Sequence, residues 1–168
     1  MKELIFTSVT AENSAIFHDL MQLYAKELDE HQGRDTDPEL LKRWTDSIIE
    51  KQQDAASCLK LCCVGVAVVG FLYGKLDRSE DKGFKKVGYG YIMEFYVLPE
   101  YRRNGFGRQM LSHLEQHFKA CGAKRIYLTA DPVTGKPFWE SMGFVPTGEI
   151  SPENHQQVYE RDVDPNFT

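Results

Sequence analysis

The sequence predicts a single domain of mixed α/β class, and three observations carry that prediction. Strand-like apolar runs alternate with segments whose apolar residues recur every three to four positions. One strand, Tyr91 to Leu98, is followed by a helical segment and then by a short apolar strand, Arg125 to Ala130. A strand, a crossover helix and another strand imply a parallel pair. Finally, the 168 residues contain no repeat, no low-complexity stretch and no linker long enough to set off a second domain.

Leu4 to Val9 reads as the first strand, with Thr10 placed to cap the helix that follows. In that helix Ile16, Leu20 and Tyr24 recur every four residues, with Phe17, Met21 and Leu28 beside them, giving one apolar face. The helix should fade between Glu30 and Gly33, and Asp37-Pro38 restarts one, an N-cap followed by proline in the first turn. Leu40, Leu41, Trp44 and Ile48 give the second helix its face; the polar connection EHQGRDTDP is expected to be mobile. CLKLCCV and VAVVGFLYGKL are two strand runs that turn near Val64-Gly65-Val66. Asp77 to Lys86 is charged and glycine-bearing and reads as an exposed loop or hairpin end.

Beyond the strand Tyr91–Leu98, a helix carries Phe106, Met110, Leu111, Leu114 and Phe118 on one side, and Gly122 stops it. Gln109, His113, Gln116 and His117 fall mostly on its other side. Pro137 to Met142 forms a short helix stopped at Gly143. Strands around Phe144–Ile150 and Gln156–Arg161 close the fold, with an edge at which a homodimer can form, and the tail DVDPNFT is expected to fray.

Composition narrows the function classes. Hydrophobic residues at 42% and charged ones at 27% fit an ordinary soluble protein, and no apolar run approaches the roughly 20 residues that span a bilayer. The opening segment MKELIFTSVTAENS carries acids and no long apolar core, so it is not read as a secretory signal. A net charge of −5 argues against nucleic-acid binding and is compatible with a cationic amine substrate. Cys58, Cys62, Cys63 and Cys121 show no zinc or redox spacing and read as small apolar residues in a reducing cytoplasm. His113 and His117 have a metal-compatible spacing but no third ligand, so no metal is expected.

The chemistry concentrates in YIMEFYVLPEYRRNGFGRQML, Tyr91 to Leu111. A strand ends at Pro99-Glu100, and Arg102-Arg103-Asn104-Gly105-Phe106-Gly107 opens a helix. Helix starts have unpartnered N–H groups and a partial positive charge, and glycines let backbone approach a ligand closely. With Arg102, Arg103 and Arg108 around the turn, the loop describes a phosphate or pyrophosphate site.

In these residues the chain resembles the GNAT acetyltransferase superfamily, whose acetyl-CoA motif is a strand, a Pro-Glu-Tyr-Arg turn and Arg-x-x-Gly-x-Gly opening a helix. The resemblance implies a three-layer α/β fold. A central mixed twisted sheet of six or seven strands would carry about four helices on both faces. It implies that the amides from Arg103 to Arg108 hold the CoA pyrophosphate, with Arg102 among the contacts. The pantetheine arm would pair with backbone near Phe95 to Val97, with Tyr96 and Val97 as cofactor contacts, where the central strand and its parallel neighbour splay apart. An N–H there would meet the thioester oxygen.

Asp131 stands where the family often places an asparagine that contacts the cofactor, and Phe138 begins the second motif, Phe-Trp-Glu-Ser-Met-Gly-Phe. Trp139 stands where many members have a tyrosine that protonates the CoA sulfur, and an indole N–H has no proton to give. Either the thiolate leaves unassisted or Tyr96, Tyr127 or water protonates it; Trp139 itself is expected to pack against the cofactor arm. Glu94, the only acid in its strand, is the expected general base, with a pKa raised by burial; the competing reading is a solvent-facing or ion-paired glutamate that orients substrate. His31 with Glu27, Asp29 and Glu30 forms an acidic group that either draws a cationic amine or is a solvated helix end.

The implied activity is a cytoplasmic N-acetyltransferase moving acetyl from acetyl-CoA to a small-molecule primary amine. It would use no metal, nucleic acid or membrane. The alternative is an acyl-CoA sensor without useful turnover.

Overall fold

The computed structural model describes residues 2–167. The elements in chain order are β1 (Ile5–Thr7), α1 (Ser14–Gln32), α2 (Pro38–Lys51), β2 (Ser57–Val64), β3 (Ala67–Leu76), β4 (Gly90–Val97), α3 (Phe106–Ala120), β5 (Arg125–Thr129), α4 (Gly135–Ser141), β6 (Val145–Ile150) and β7 (Gln157–Asp162). The seven strands form one mixed sheet in the order β1-β2-β3-β4-β5-β7-β6. The chain divides into two compact units, Met1–Tyr73 with Glu94–Met110 and Gly74–Met93 with Leu111–Thr168.

In the first unit the buried stripe of α1 is Phe17, Leu20, Met21 and Ala25. Ile16, expected on that face, is 42% exposed, so the stripe is turned by about one residue from the predicted one. Phe17 and Tyr24 both meet the Phe71 ring edge-on, at centroid distances of 5.2 and 5.5 Å. Thr10 does not cap α1. Its hydroxyl accepts from the Glu12 N–H, and Asn13 takes the N-cap position, its side chain accepting from the Thr10 N–H. Asp37 caps α2 as expected, accepting from the Glu39 N–H at 3.1 Å with Pro38 behind it. β3 and β4 approach so closely at Gly70 that a Cβ there would lie 2.1 Å from the Tyr96 carbonyl oxygen.

In the second unit the parallel register joins Gly90 with Ile126 and Tyr91 with Tyr127, the pairing expected from the crossover, and the two tyrosine rings stack at 4.4 Å. β7 pairs antiparallel with β5 and with β6, the latter through an irregularity between Pro146 and Ile150. The apolar side of α3 is buried as predicted, with Leu111, Leu114 and Phe118 fully enclosed.

Two expectations fail in this unit. Asp77, placed by the sequence in an exposed loop, is 2% exposed: its carboxylate accepts from the Tyr127 hydroxyl and from the Lys86 N–H, with the Lys75 ammonium 3.8 Å away. The tail is held rather than frayed as far as Phe167, Thr168 lying outside the described residues. Buried Glu115 binds the Arg161 guanidinium through both oxygens at 2.8 Å and also accepts from the Asp164 N–H. Arg161 lies over the Phe167 ring at 4.9 Å.

All four cysteines are free thiols, and burial pushes the Cys62 thiol well above its ordinary range. Among the described residues no helix is long and apolar enough to cross a membrane, and no three His, Cys, Asp or Glu side chains are grouped to hold a metal.

Candidate active site

The first unit holds the stretch from Glu94 to Arg108. β4 ends at Val97, and a short 3-10 turn, Pro99–Tyr101, reverses the chain, its cap closed by the Arg102 N–H donating to the Pro99 carbonyl. Arg102 is extended; Arg103 then takes a left-handed conformation at φ 63° and Gly105 another at φ 79°. Such conformations are costly for an arginine and free for a glycine. The Asn104 side chain donates to the carbonyls of Tyr101 and Arg102 at 3.0 and 3.1 Å, which ties the loop's oxygens inward. Phe106, 6% exposed, anchors the start of α3, where the Gln109 N–H bonds to the Gly105 carbonyl. The amides of Gly105, Phe106 and Gly107 precede that bond, so no carbonyl a turn earlier serves them. The result is a nest of N–H groups at the positive end of a helix, with Arg103 and Arg108 beside it.

Arg102 does something other than the phosphate contact expected of its side chain. Its guanidinium forks onto Glu27 of α1, at 2.9 Å to Oε1 and 2.7 Å to Oε2. Its Nε donates to the Val97 carbonyl at 2.9 Å, and the group lies 5.7 Å over the Tyr96 ring. Tyr96 is 5% exposed, tilted against Tyr24 at 5.4 Å, and burial raises its phenol pKa. The Val97 carbonyl is therefore already an acceptor for Arg102.

Glu94 is half-buried on β4. Burial pushes its carboxyl up to about 8, opposed by a hydrogen bond from the Tyr24 hydroxyl. The sequence leaves Glu94 either a base or an orienting carboxylate; the structure gives it a half-buried position and a hydroxyl partner in Tyr24. A carboxyl that titrates there can take a proton from an amine as pH rises through about 8.

The remaining predicted residues lie in the second unit. The Asp131 carboxylate accepts from the Thr134 N–H and hydroxyl at 3.1 and 2.8 Å, and its carbonyl accepts from the Lys136 N–H. Asp131 thus builds the turn into α4. Phe138 is half-buried and meets Trp139 edge-on at 4.8 Å; Trp139 meets Phe144 at 5.4 Å and is 6% exposed. Trp139 packs within its own unit's core, not as a proton source. Tyr127 is no ready acid either: burial first, and then its bond to Asp77, hold the phenol far above its ordinary value.

Sequence reasoning misses two residues. Tyr24 reads there only as part of an apolar face, although a tyrosine hydroxyl turned inward must find a partner. Glu27 groups there with His31, Asp29 and Glu30, either as a lure for a cationic amine or as a solvated helix end. In the structure Glu27 is committed to Arg102, and Asp29 accepts from the Thr36 N–H and hydroxyl, both at 2.8 Å. An open depression of about 300 Å³ lies beside them on the first unit, lined by Gln22, Lys26, Asp29 and Glu30 of α1 and by Arg34 to Thr36. Its acids alternate with Lys26 and Arg34, so its charge is mixed.

Comparison with known proteins places the fold. The family model described as Acetyltransferase (GNAT) family matches residues 17–144. Among curated proteins none matches by sequence. Among solved structures, a GNAT-family acetyltransferase of Staphylococcus aureus superposes with a TM-score of 0.74 at 12% identity, over 96% of this chain and 99% of that one. An acetyltransferase of Thermus thermophilus gives 0.70 at 20% identity, over 96% and 99%. The PaiA N-acetyltransferase of Thermoplasma acidophilum, solved in complex with coenzyme A, gives 0.70 at 14% identity, over 95% and 99%. At these identities the structures establish the shared fold, while the family model spans well over half of the chain. The chain belongs to the GNAT acetyltransferase family, whose members use acetyl-CoA.

Proposed function

We propose that the protein is an N-acetyltransferase that moves an acetyl group from acetyl-CoA to the primary amine of a small molecule, by direct attack in a ternary complex. The observation that carries the reading is Glu94, a strand carboxyl whose pKa is pushed up to about 8. The loop fits the cofactor's diphosphate. Its carbonyls are tied inward by Asn104, its amides open a helix, and Arg103 and Arg108 supply positive charge.

Bound acetyl-CoA supplies an activated acyl carbon and a thiolate leaving group. The chain's own residues do the rest. The amides from Arg103 to Arg108 hold the diphosphate. Backbone at Tyr96 and Val97 orients the arm and offers an N–H to the carbonyl oxygen. Glu94 takes the proton from the attacking amine, directly or through water, and releases it to solvent afterwards. With Trp139 packed in the core and Tyr127 bound to Asp77, the thiolate leaves without a dedicated acid. Thiols are acidic enough for that. Free thiols at Cys58, Cys62, Cys63 and Cys121 support a reducing, cytoplasmic setting.

The test has two parts. Purified protein is titrated with coenzyme A, and thiol release is followed over a panel of primary amines. Amine-dependent release, with coenzyme A binding weakened in the Arg103→Glu/Arg108→Glu variant, is the expected result. Tight binding with no amine-dependent release would instead assign a sensor role, and unchanged affinity in the double variant would remove the loop assignment.

A further inference from the structure

A loop that holds a diphosphate through backbone amides must itself be held, because amides misplaced by about 1 Å lose most of their value to a ligand. This loop has a strained point: Arg103 stands at φ 63°, a conformation an arginine keeps only when its neighbours fix it. The residue immediately before it, Arg102, is fixed at three points. Its guanidinium makes a two-pronged bond to Glu27, its Nε binds the Val97 carbonyl, and its plane lies over Tyr96. Glu27 is the only one of these contacts that comes from outside the strand-and-loop segment. It sits on the long, well-packed α1, three residues after Tyr24, which holds Glu94.

We propose that Glu27 is a positioning residue: by clamping Arg102 it sets the turn whose amides bind the cofactor diphosphate, without touching the cofactor itself. The proposal rests on the acetyl-CoA reading of the loop. It assigns Arg102 a role opposite to a phosphate contact, and the two roles differ in sign. If Arg102 reached for phosphate, removing the Glu27 charge would free it and leave binding equal or tighter, since an acid near an anion site opposes binding. If Glu27 sets the turn, removing it loosens binding.

The experiment is calorimetric titration with coenzyme A of the parent, Glu27→Gln, Arg102→Gln, Arg102→Lys and the Glu27→Gln/Arg102→Gln double variant, with melting temperatures alongside. Each single change is expected to weaken binding by about ten-fold. The double variant should be no weaker than either single, because the pair acts as one unit. Arg102→Lys should fail like Arg102→Gln, since a lysine keeps the charge but not the fork. In turnover, KM for acetyl-CoA should rise while kcat and its pH dependence stay put. Equal or tighter binding by Glu27→Gln, additive losses in the double variant, or a lowered melting temperature with unchanged affinity would each overturn the proposal while leaving the acetyl-CoA reading intact. A parent protein that does not bind coenzyme A would remove that reading and the proposal with it.

Discussion

The Glu94 carboxyl is hydrogen-bonded by the Tyr24 hydroxyl in one unit, and the Asp77 carboxyl by the Tyr127 hydroxyl in the other. Both are raised by burial. They differ in what opposes that push. At Asp77 a hydroxyl, a backbone N–H and a nearby ammonium all favour the ionised form. At Glu94 the Tyr24 hydroxyl opposes it, and the carboxyl ends near 8. Under the proposed function the difference separates a structural post, Asp77, from a base, Glu94. A buried acid rich in donors ties a loop down, while a buried acid with a weaker counterweight exchanges its proton at the pH of the cell.

The comparison is most exposed at Glu94 itself. Glu94→Gln should lower kcat by about 10²- to 10⁴-fold. The parent's rate should rise with pH through about 8, where the carboxyl becomes the base, and the variant should lack that limb. A variant that keeps the limb would place the base elsewhere. Stability should move the other way. A folded-state pKa of about 8 against an ordinary value of 4.5 means Glu94 contributes stability below 4.5 that is lost as pH rises through 8. Glu94→Gln should therefore gain on the parent across that window, and denaturant titrations at about pH 4 and about pH 9 would read it.

Tyr127→Phe probes the other carboxyl. It should cost about 1–3 kcal/mol in denaturant unfolding, because a buried acceptor loses a donor, and leave kcat in place. A fall in kcat with unchanged stability would reverse the assignment of the two pairs. The smallest effect is expected of Tyr24→Phe. Its hydroxyl lowers the Glu94 pKa, so its loss should move the activity limb above 8 with plateau turnover little changed. A limb that moves down would contradict the hydrogen bond.

What is legible in the sequence follows the range of the forces involved. The face of α3, from Phe106 through Met110, Leu111 and Leu114 to Phe118, reports a local periodicity, and all five are buried. The parallel pairing of β4 and β5 follows from a short crossover. Glu94 stands out because a lone acid in an apolar strand is visible without a partner. Partnerships across the chain are not visible. Arg102 finds Glu27 at a separation of 75 residues, and Asp77 finds Tyr127 at 50. A sequence shows that such groups are charged or polar, but not which of them will satisfy one another when buried. The tail escapes for the same reason: its Asp164 N–H finds Glu115 of α3 at a separation of 49 residues, beside the Arg161–Glu115 pair.

The left-handed arginine before the glycine turn carries a practical warning. Replacing Arg103 by glycine would relieve the folded chain of about 1 kcal/mol of backbone strain. The same change would delete a cation beside the proposed diphosphate site. Backbone strain and the proposed grip on the cofactor therefore pull in opposite directions at this one position, and a melting point alone would not register the grip that is lost.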